Sequence, residues 1–503
     1  MQLIEKVLEQ GKSSILLVPE ISLTPQMVDR FIHRFGEEKI AVLHSKLSIG
    51  ERYDEWRRIQ KGVAQIVIGA RSAIFAPVKD LGIIIIDEEH DTSYQSEMSP
   101  RYDAKEVARK MAKEKEVPLV LGSATPSMAT YYQAQKGNIA LLELTKRANS
   151  SHLPTVEIVD MREQLAKGNR SMLSTQLYTA VEENLKNKRQ TILFLNRRGY
   201  STFIMCRDCG YTLKCKNCDI TLTYHLRENK LKCHYCGYEE KPSTICPNCQ
   251  SKNIRYFGSG TQKLEEEIHK IFPMATTIRM DTDTVSKKNG HEVILEKFKN
   301  ENIDILIGTQ MVVKGHHFPN VTLVGVMAAD GSLNIEDFRA NERTFQILTQ
   351  VAGRAGRENL PGKVIVQTYN PDSLAIQYAA KQDYKAFYQA EIGIRKQLKY
   401  PPFCDIIMIG IQGKDENKVM EIAQNLYEYY KTKMQEQKLG ILLYRPVASP
   451  ITQINKQFRF RILIKCLYDE KVRDFLQQGL DFIQKKTKDE TRVMIEINPS
   501  NML

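Results

Sequence analysis

Short apolar runs alternate with stretches of helical period along most of the chain. Residues 1–10 space their apolar side chains as an amphipathic helix does, and Ile15–Val18 is then continuously apolar. Ile66–Ile68, Ile83–Ile86 and Leu119–Leu121 repeat that run, with helical segments between them. Strands that alternate with helices predict a parallel, doubly wound sheet. The pattern pauses over 145–172, a polar stretch expected to join two lobes. It resumes with Thr191–Leu195, Asp304–Ile307, Val321–Val326 and Lys363–Gln367, which predicts a second lobe of the same kind. After about residue 395 the character changes. Ile406–Ile411, a helix over 414–437, Phe458–Cys466, a helix over 469–486 and Arg492–Ile497 predict a small α+β domain.

Composition narrows the class without naming a function. A chain of 503 residues with 42% apolar and 26% charged residues is an ordinary multidomain globular protein. No run of 18 apolar residues occurs, and the amphipathic start is unlike a signal peptide, so a cytoplasmic protein is expected. A net charge of +12 suits a polyanionic partner.

Cysteine usage is more specific. Eight of the ten cysteines form Cys-x-x-Cys pairs: Cys206/Cys209, Cys215/Cys218, Cys233/Cys236 and Cys246/Cys249. Two such pairs close one tetrahedral four-cysteine site with no open position, so four pairs predict two structural zinc ions. Three ways of combining the pairs remain open at this level. The segment, 204–252, interrupts the second lobe just after Thr191–Leu195 and is too polar to hold a core without metal. Its tyrosines (Tyr211, Tyr224, Tyr235, Tyr238) serve either as stacking faces for bases or as covers for the metal knuckles. Cys404 and Cys466 stand alone and read as buried, inert thiols.

The apolar run Ile83–Ile86 ends in Asp87-Glu88-Glu89-His90. An aspartate at the carboxyl end of a buried parallel strand can hold Mg²⁺, and the glutamate after it can orient and deprotonate an attacking water. His90 is placed to couple this site to Gly122-Ser123-Ala124-Thr125. Downstream, Gln350-Val351-Ala352-Gly353-Arg354-Ala355-Gly356-Arg357 would set Arg354 and Arg357 on one helix face, as an arginine finger with Gln350 beside it. Glycine inside a helix costs about 1 kcal/mol, so Gly353 and Gly356 imply a close approach. Loops after strands carry small, hydroxyl or basic residues and suit phosphate contacts from hydroxyls and backbone amides; their candidate DNA-binding residues are Pro19 and Thr24, Arg71 and Ser72, Thr309 and Lys314. Gly258-Ser259-Gly260-Thr261 opens a helix and is a further candidate anion site. Tyr94, Arg101 and Tyr102 form an aromatic-basic loop beside the acid cluster, expected to sense DNA.

These residues resemble those of one family, the PriA bacterial primosomal replication-restart helicases (primosomal protein N′) of helicase superfamily 2. The carrying segments are LVPEISLTPQM (17–27), GARSAIFAP (69–77), DEEH (87–90), PRYDAKEVA (100–108), LGSATPS (121–127) and FLNRRGY (194–200). They continue with the cysteine pairs, GTQMVVKGHHFPNVTLV (308–324), DFRANERTFQILTQVAGRAGR (337–357) and YPPF (400–403). The resemblance implies two RecA-like parallel-sheet lobes (1–150 and 151–395), an insert in the second that holds two four-cysteine zinc sites, and a C-terminal α+β DNA-binding domain (396–503). It implies an ATP- and Mg²⁺-dependent 3′→5′ DNA helicase acting on single-stranded and forked DNA at stalled forks and D-loops. Implied partners are single-strand-binding protein, the primosome and helicase-loading proteins. The implied zinc sites are nested, with Cys206/Cys209 and Cys246/Cys249 outside Cys215/Cys218 and Cys233/Cys236.

The family pattern also includes a fork-binding region, a winged helix and a phosphate loop, G-x-x-x-x-G-K-[S/T], whose amides cradle phosphates. No stretch of the 503 residues matches that loop. Gly11-Lys12-Ser13 fails because position 6 is Lys6 and because the tripeptide follows a helix and precedes a strand. Met1 is expected to align just after the loop, so these residues alone are expected not to hydrolyse ATP. His317 also departs from the family, where an acid is expected. The alternative reading is a non-catalytic, zinc-containing, single-stranded DNA-binding fragment.

Overall fold

The computed structural model describes all residues except 21–22, 97, 99, 146–152, 196–202, 219, 226–227, 258–260, 282–289, 310–311, 313–317, 357–361, 485–490 and 503; the side chains of 255–257 and 290–292 also lie outside the description. The chain forms two compact units, Met1–Leu141 and Leu142–Val313 with Phe318–Leu503.

In the first unit, strands β1 (Ser13–Leu17), β2 (Ile40–Leu43), β3 (Ile66–Gly69), β4 (Leu81–Ile86) and β5 (Leu119–Leu121) form one sheet in the order β2-β3-β1-β4-β5. Every neighbouring pair is parallel. Alternation along β1 explains why its residues are all apolar or buried. Ile15 and Leu17 join one core with Val67, Ile84 and Ile86, under helix Ala104–Glu114. Leu16 joins the opposite core with Ile66, Ile68 and Phe31 of helix Pro25–Phe35. A strand covered on both faces has no polar side to show.

The second unit opens with β6 (Thr155–Asp160), inside the stretch expected to be a polar connection. That strand is the edge of a six-stranded sheet, where one flank meets solvent and a polar sequence is tolerated. After β7 (Gln190–Leu195) the cysteine insert contributes β8 (Phe203–Cys206), β9 (Thr223–His225), β10 (Lys230–Lys232), β11 (Glu239–Glu240) and β12 (Ile254–Phe257). The lobe resumes with β13 (Thr277–Met280), β14 (Ile305–Gly308), β15 (Val321–Met327) and β16 (Lys363–Thr368), in the order β13-β14-β7-β15-β16-β6. Its neighbouring pairs are parallel throughout.

Residues beyond Tyr400 build an antiparallel sheet from β17 (Asp405–Gly413), β18 (Leu442–Leu443), β19 (Val447–Ile454), β20 (Gln457–Cys466) and β21 (Thr491–Ile497). Its two faces do different work. Ile407, Ile409 and Ile411 of β17 pack on helices Glu416–Glu436 and Glu470–Gln484 through Leu426, Tyr430 and Phe475. Ile406 and Met408, on the opposite face, pack instead against the cysteine insert. No helix among the described residues is long and apolar enough to cross a membrane.

Candidate nucleotide, DNA and metal sites

Asp87 stands directly after β4, its amide donating to Leu17 O at the end of β1 (2.9 Å). Glu88 takes φ +47, a conformation unfavourable for a residue with a Cβ. Its amide donates to Asp87 Oδ1 (3.0 Å), and its carbonyl accepts from Asp91 N (2.8 Å). That tight turn keeps two carboxylates at one strand end. Asp87 reaches solvent, yet the protein packed behind it raises its pKa; the Glu88 amide opposes that effect. A divalent cation suits such a carboxylate. His90 Nδ1 lies 2.7 Å from Ser123 Oγ and 3.6 Å from Glu88 Oε2. Ser123 Oγ in turn accepts from Thr125 N (3.0 Å), so the predicted coupling of His90 to Gly122–Thr125 has a physical path.

Glu89, given no role by the sequence reading, is the tie behind this site. It is 1% exposed. Its carboxylate accepts from Ser127 N (2.6 Å), Ser127 Oγ (3.2 Å) and Thr130 Oγ1 (3.0 Å), with Lys105 Nζ at 3.5 Å. Its own amide donates to Gly122 O (3.0 Å). The acid turn is thereby fastened to the start of helix Met128–Gln135.

The residues proposed to touch DNA divide by exposure. Ser72 and Arg101 are exposed. Pro19 is buried, and Thr24 caps helix Pro25–Phe35, its Oγ1 accepting from Met27 N. Arg71 donates to Gln95 O (2.6 Å) and Ser93 O (3.3 Å) and lies over the Tyr102 ring, which packs on Phe75. Tyr94 is 1% exposed and donates to Asp87 O (2.6 Å). Burial, then Asp87, raises its pKa. So Tyr94 cannot stack on a base; it joins the aromatic loop to the acid turn, and Arg71 holds that loop's backbone.

The second-lobe arginine motif corrects an expectation. Helix Ala340–Ala352 stops before Arg354, and Gly353 is its C-cap. Gly356 has φ +65 and donates to Val321 O (3.3 Å) at the start of β15. Arg354 therefore sits in a turn beyond the helix, not on a helix face. The glycines end the helix and allow the reversal, so no interior-glycine cost arises. Gln350 lies in the last helical turn, and Thr309 follows β14. Arg357, Lys314, His317 and residues 258–260 lie outside the described residues.

The cysteines gather into two clusters, Cys206/Cys209/Cys246/Cys249 and Cys215/Cys218/Cys233/Cys236, with all four sulfurs of each within 4.8 Å of one another. This is the nested pairing that the resemblance implied. Each pair sits in a backbone knuckle. The amides of Cys206, Cys233 and Cys246 donate to the carbonyls of Tyr211, Tyr238 and Ser251, and their carbonyls accept from Gly210, Gly237 and Gln250. The accepting turn forces φ of +73, +76 and +59 at those three residues. Glycine meets that demand at two of them. At Gly210 a Cβ would also collide with Tyr369 O, where the knuckle meets the second lobe. Sulfur pairs at 3.5–3.7 Å and a four-thiolate donor set fit tetrahedral zinc.

The insert does not stand on metal alone. Cys215, Cys218, Cys233, Tyr224 and Tyr235 share one core with Tyr400, Ile406, Leu463 and Met502 of the C-terminal part. Tyr224 and Tyr235 are therefore covers rather than stacking faces. Tyr400 donates to Cys218 O (3.1 Å) and stacks on Phe338. Arg461, 1% exposed, donates through Nε (2.9 Å) and Nη2 (2.6 Å) to His234 O, and through Nη1 to Met502 O. Glu336 accepts from Thr223 Oγ1 (2.8 Å) and bonds His234 Nδ1 (2.6 Å), tying the knuckle to the segment that leads into helix Ala340–Ala352. Sequence offered only a weak signal for these: a glutamate just before the arginine-rich motif that begins at Asp337, and an arginine within a largely apolar strand. Cys404 donates to Lys399 O, and burial pushes its pKa up to about 11; Cys466 is pushed to about 12.

Four family models match the chain. They are a DEAD/DEAH box helicase over 1–134, a helicase conserved C-terminal domain over 240–359, the PriA DNA helicase Cys-rich region domain over 215–241, and the primosomal protein N C-terminal domain over 396–500. Replication restart protein PriA of Bacillus subtilis is 49% identical, over 100% of this chain and 62% of that protein. The PriA of Treponema pallidum is 42% identical, over 94% of this chain and 71% of its own length. That of Rickettsia felis is 38% identical, over 99% and 76%. The chain thus spans 62% of the Bacillus relative's length.

Proposed function

This chain belongs to the PriA family of replication restart helicases, and from that premise we propose that its two lobes are the motor of an ATP-driven 3′→5′ DNA helicase. Its substrates are single-stranded and forked DNA at stalled forks and D-loops. Its partners are single-strand-binding protein, the primosome and helicase-loading proteins. The observation that carries the motor reading is the strained turn holding Asp87 and Glu88 together at the β4 end, wired to Ser123 through His90.

Asp87 would hold Mg²⁺, directly or through water, and the ion, when bound, would neutralise phosphate charge. Glu88 orients the attacking water and takes its proton. Arg354 and Arg357 stabilise charge in the transition state, a role worth about 10³–10⁵ in rate, with Gln350 beside them. Tyr94, held by Asp87 O on a loop braced by Arg71, carries the state of the aromatic loop, with Tyr102 and Arg101, to the acid turn. Pro19 and Thr24 shape, and Ser72, Thr309 and Lys314 contact, the DNA backbone. The two four-cysteine clusters would each hold a zinc ion in a structural role.

The 503 residues by themselves bind single-stranded DNA without hydrolysing ATP at a useful rate. The supporting observation is the lack of any G-x-x-x-x-G-K-[S/T] among them. Phosphoryl transfer depends on positioning, and the arginines alone do not position the β- and γ-phosphates. An ATPase assay with saturating single-stranded DNA tests both parts. The 503-residue chain is expected to be silent. A protein that joins these residues to a phosphate loop is expected to hydrolyse ATP, and Glu88→Gln to stop it while ATP still binds. DNA-stimulated hydrolysis by the 503 residues that vanishes in Glu88→Gln refutes the claim of inactivity. Hydrolysis that survives Glu88→Gln in the loop-bearing protein refutes the role of Glu88.

A further inference from the structure

The two four-cysteine clusters share a donor set but not an environment. In the inner cluster Cys215, Cys218 and Cys233 are at most 5% exposed. The half-buried Cys236 receives Asn217 Nδ2 on its sulfur (3.6 Å). The core around them includes Tyr400, Leu463 and Met502, and Arg461 and Tyr400 bond the carbonyls of His234 and Cys218. In the outer cluster Cys206 and Cys246 are buried, Cys209 is half-buried, and Cys249 is exposed. That cluster closes the stem of the insert. Cys206 ends β8, which pairs antiparallel with β12, and Arg162 of the second lobe donates to Cys209 O (3.3 Å). No residue beyond 400 belongs to its hydrogen bonds named above.

We propose that Cys249 is the first site of oxidative modification in this chain, that a peroxide acting there releases the outer metal, and that the inner metal stays locked while the C-terminal domain remains docked. A metal-bound cysteine is a thiolate, the nucleophilic form, and exposure sets which thiolate reacts first. The Cys249 thiolate attacks the peroxide O–O bond, giving a sulfenic acid and hydroxide. The Cys206 thiolate, 3.7 Å away, then displaces the second hydroxide to form a disulfide. Two electrons leave the sulfur pair, and one peroxide with two protons becomes two waters. With two of its four thiolates spent, the outer cluster would no longer hold its metal. Cys404 and Cys466, with pKa raised to about 11 and about 12, remain neutral thiols at pH 7 and compete poorly.

The two metals are then unequal: one is a releasable clasp on the stem, the other a lasting part of the joint between second lobe and C-terminal domain. The test uses the zinc-loaded 503-residue chain, hydrogen peroxide, a chromophoric zinc chelator and differential alkylation with peptide mapping. One equivalent of zinc is expected to leave at least about tenfold faster than the second, with Cys249 the first cysteine lost to alkylation. Tyr400→Phe, which removes one hydroxyl and keeps the ring, is expected to speed the second release several-fold and leave the first unchanged. Fewer than two zinc ions at the start overturns the two-metal reading and this inference with it. Two ions leaving together, inner cysteines oxidised first, or an inner rate unmoved by both Tyr400→Phe and Arg461→Met each overturns the inference alone.

Discussion

Glu89 offers a sharp test of how the acid turn is held. Replacing it with alanine removes the acceptor for Ser127 N, Ser127 Oγ and Thr130 Oγ1, all in a site 1% exposed. Lys105, 22% exposed, can turn to water, so its lost partner counts for little. The Ser127 and Thr130 hydroxyls still have each other at 2.9 Å, which recovers part of the loss. The Ser127 amide has no such substitute, and a buried unsatisfied donor costs roughly 1–3 kcal/mol. Loss of a charged acceptor adds a similar amount, so Glu89→Ala is expected to cost about 3 kcal/mol. Glu89→Gln keeps one acceptor oxygen for the amide and is expected to cost about 1 kcal/mol. Urea denaturation followed by the fluorescence of Trp56, the chain's one tryptophan and a residue of the same unit, reads both values. The expected companion effect, in a protein that also carries a phosphate loop, is reduced DNA stimulation of hydrolysis with ATP binding kept. A loss under about 0.5 kcal/mol for Glu89→Ala, the range of an ordinary surface change, refutes the tie.

The carboxylate of Asp87 predicts the opposite sign. Its folded pKa is raised above the unfolded value of about 3.9, so the folded state binds the proton more tightly and stability falls as pH rises through that window. Asp87→Asn is expected to raise the melting temperature at pH 7 without Mg²⁺, and the gain to shrink by pH 4.5; a variant less stable than wild type at pH 7 defeats this. The purified, reduced chain is expected to hold two zinc ions, and Cys233→Ser to loosen the C-terminal domain as seen by hydrogen exchange, whereas Cys206→Ser loosens only the stem; equal effects on residues 400–466 defeat the division. Affinity for single-stranded DNA is expected to fall steeply between low and high salt, as counterion release requires, and a flat dependence contradicts the phosphate-track reading.

What the sequence made legible follows burial. The strands β1, β3, β4, β7, β14, β15 and β16 lie inside their sheets and carry mostly apolar runs; β5 is an edge strand that is legible because all three of its residues are apolar. Of the strands the sequence does not reveal, β2, β6 and β13 are sheet edges, β18 and β19 each pair only with β20, and β8–β12 are the short strands of the cysteine insert. An edge strand such as Thr155–Asp160 shows one flank to solvent and keeps too few apolar residues to stand out from a loop. The chemistry was legible where spacing is itself the constraint. Cys-x-x-Cys needs only a local turn, and Asp87-Glu88 needs only a strand end. The arginine motif misled because its residue types, not their backbone, are what a motif records; Gly353 and Gly356 read as interior glycines when they are the stop.

Least legible were the ties that make separate segments one body. Arg461 pairs with Gly410 in β17 of the C-terminal sheet, yet its guanidinium is spent on His234 O in the insert, 227 residues away in sequence. Glu336 stands in the second lobe and holds the same residue from the other side. A buried arginine bonded to backbone carbonyls, with burial lowering its pKa, is expensive to maintain. It is tolerated because three chain segments converge on one knuckle whose own core is small. The inner four-cysteine cluster, Arg461, Glu336 and Tyr400 therefore form a single joint. The segment entering helix Ala340–Ala352, which leads to Arg354, runs through it. The domain beyond residue 400 is thus joined by packing and hydrogen bonds at one knuckle to the lobe that carries the arginine turn.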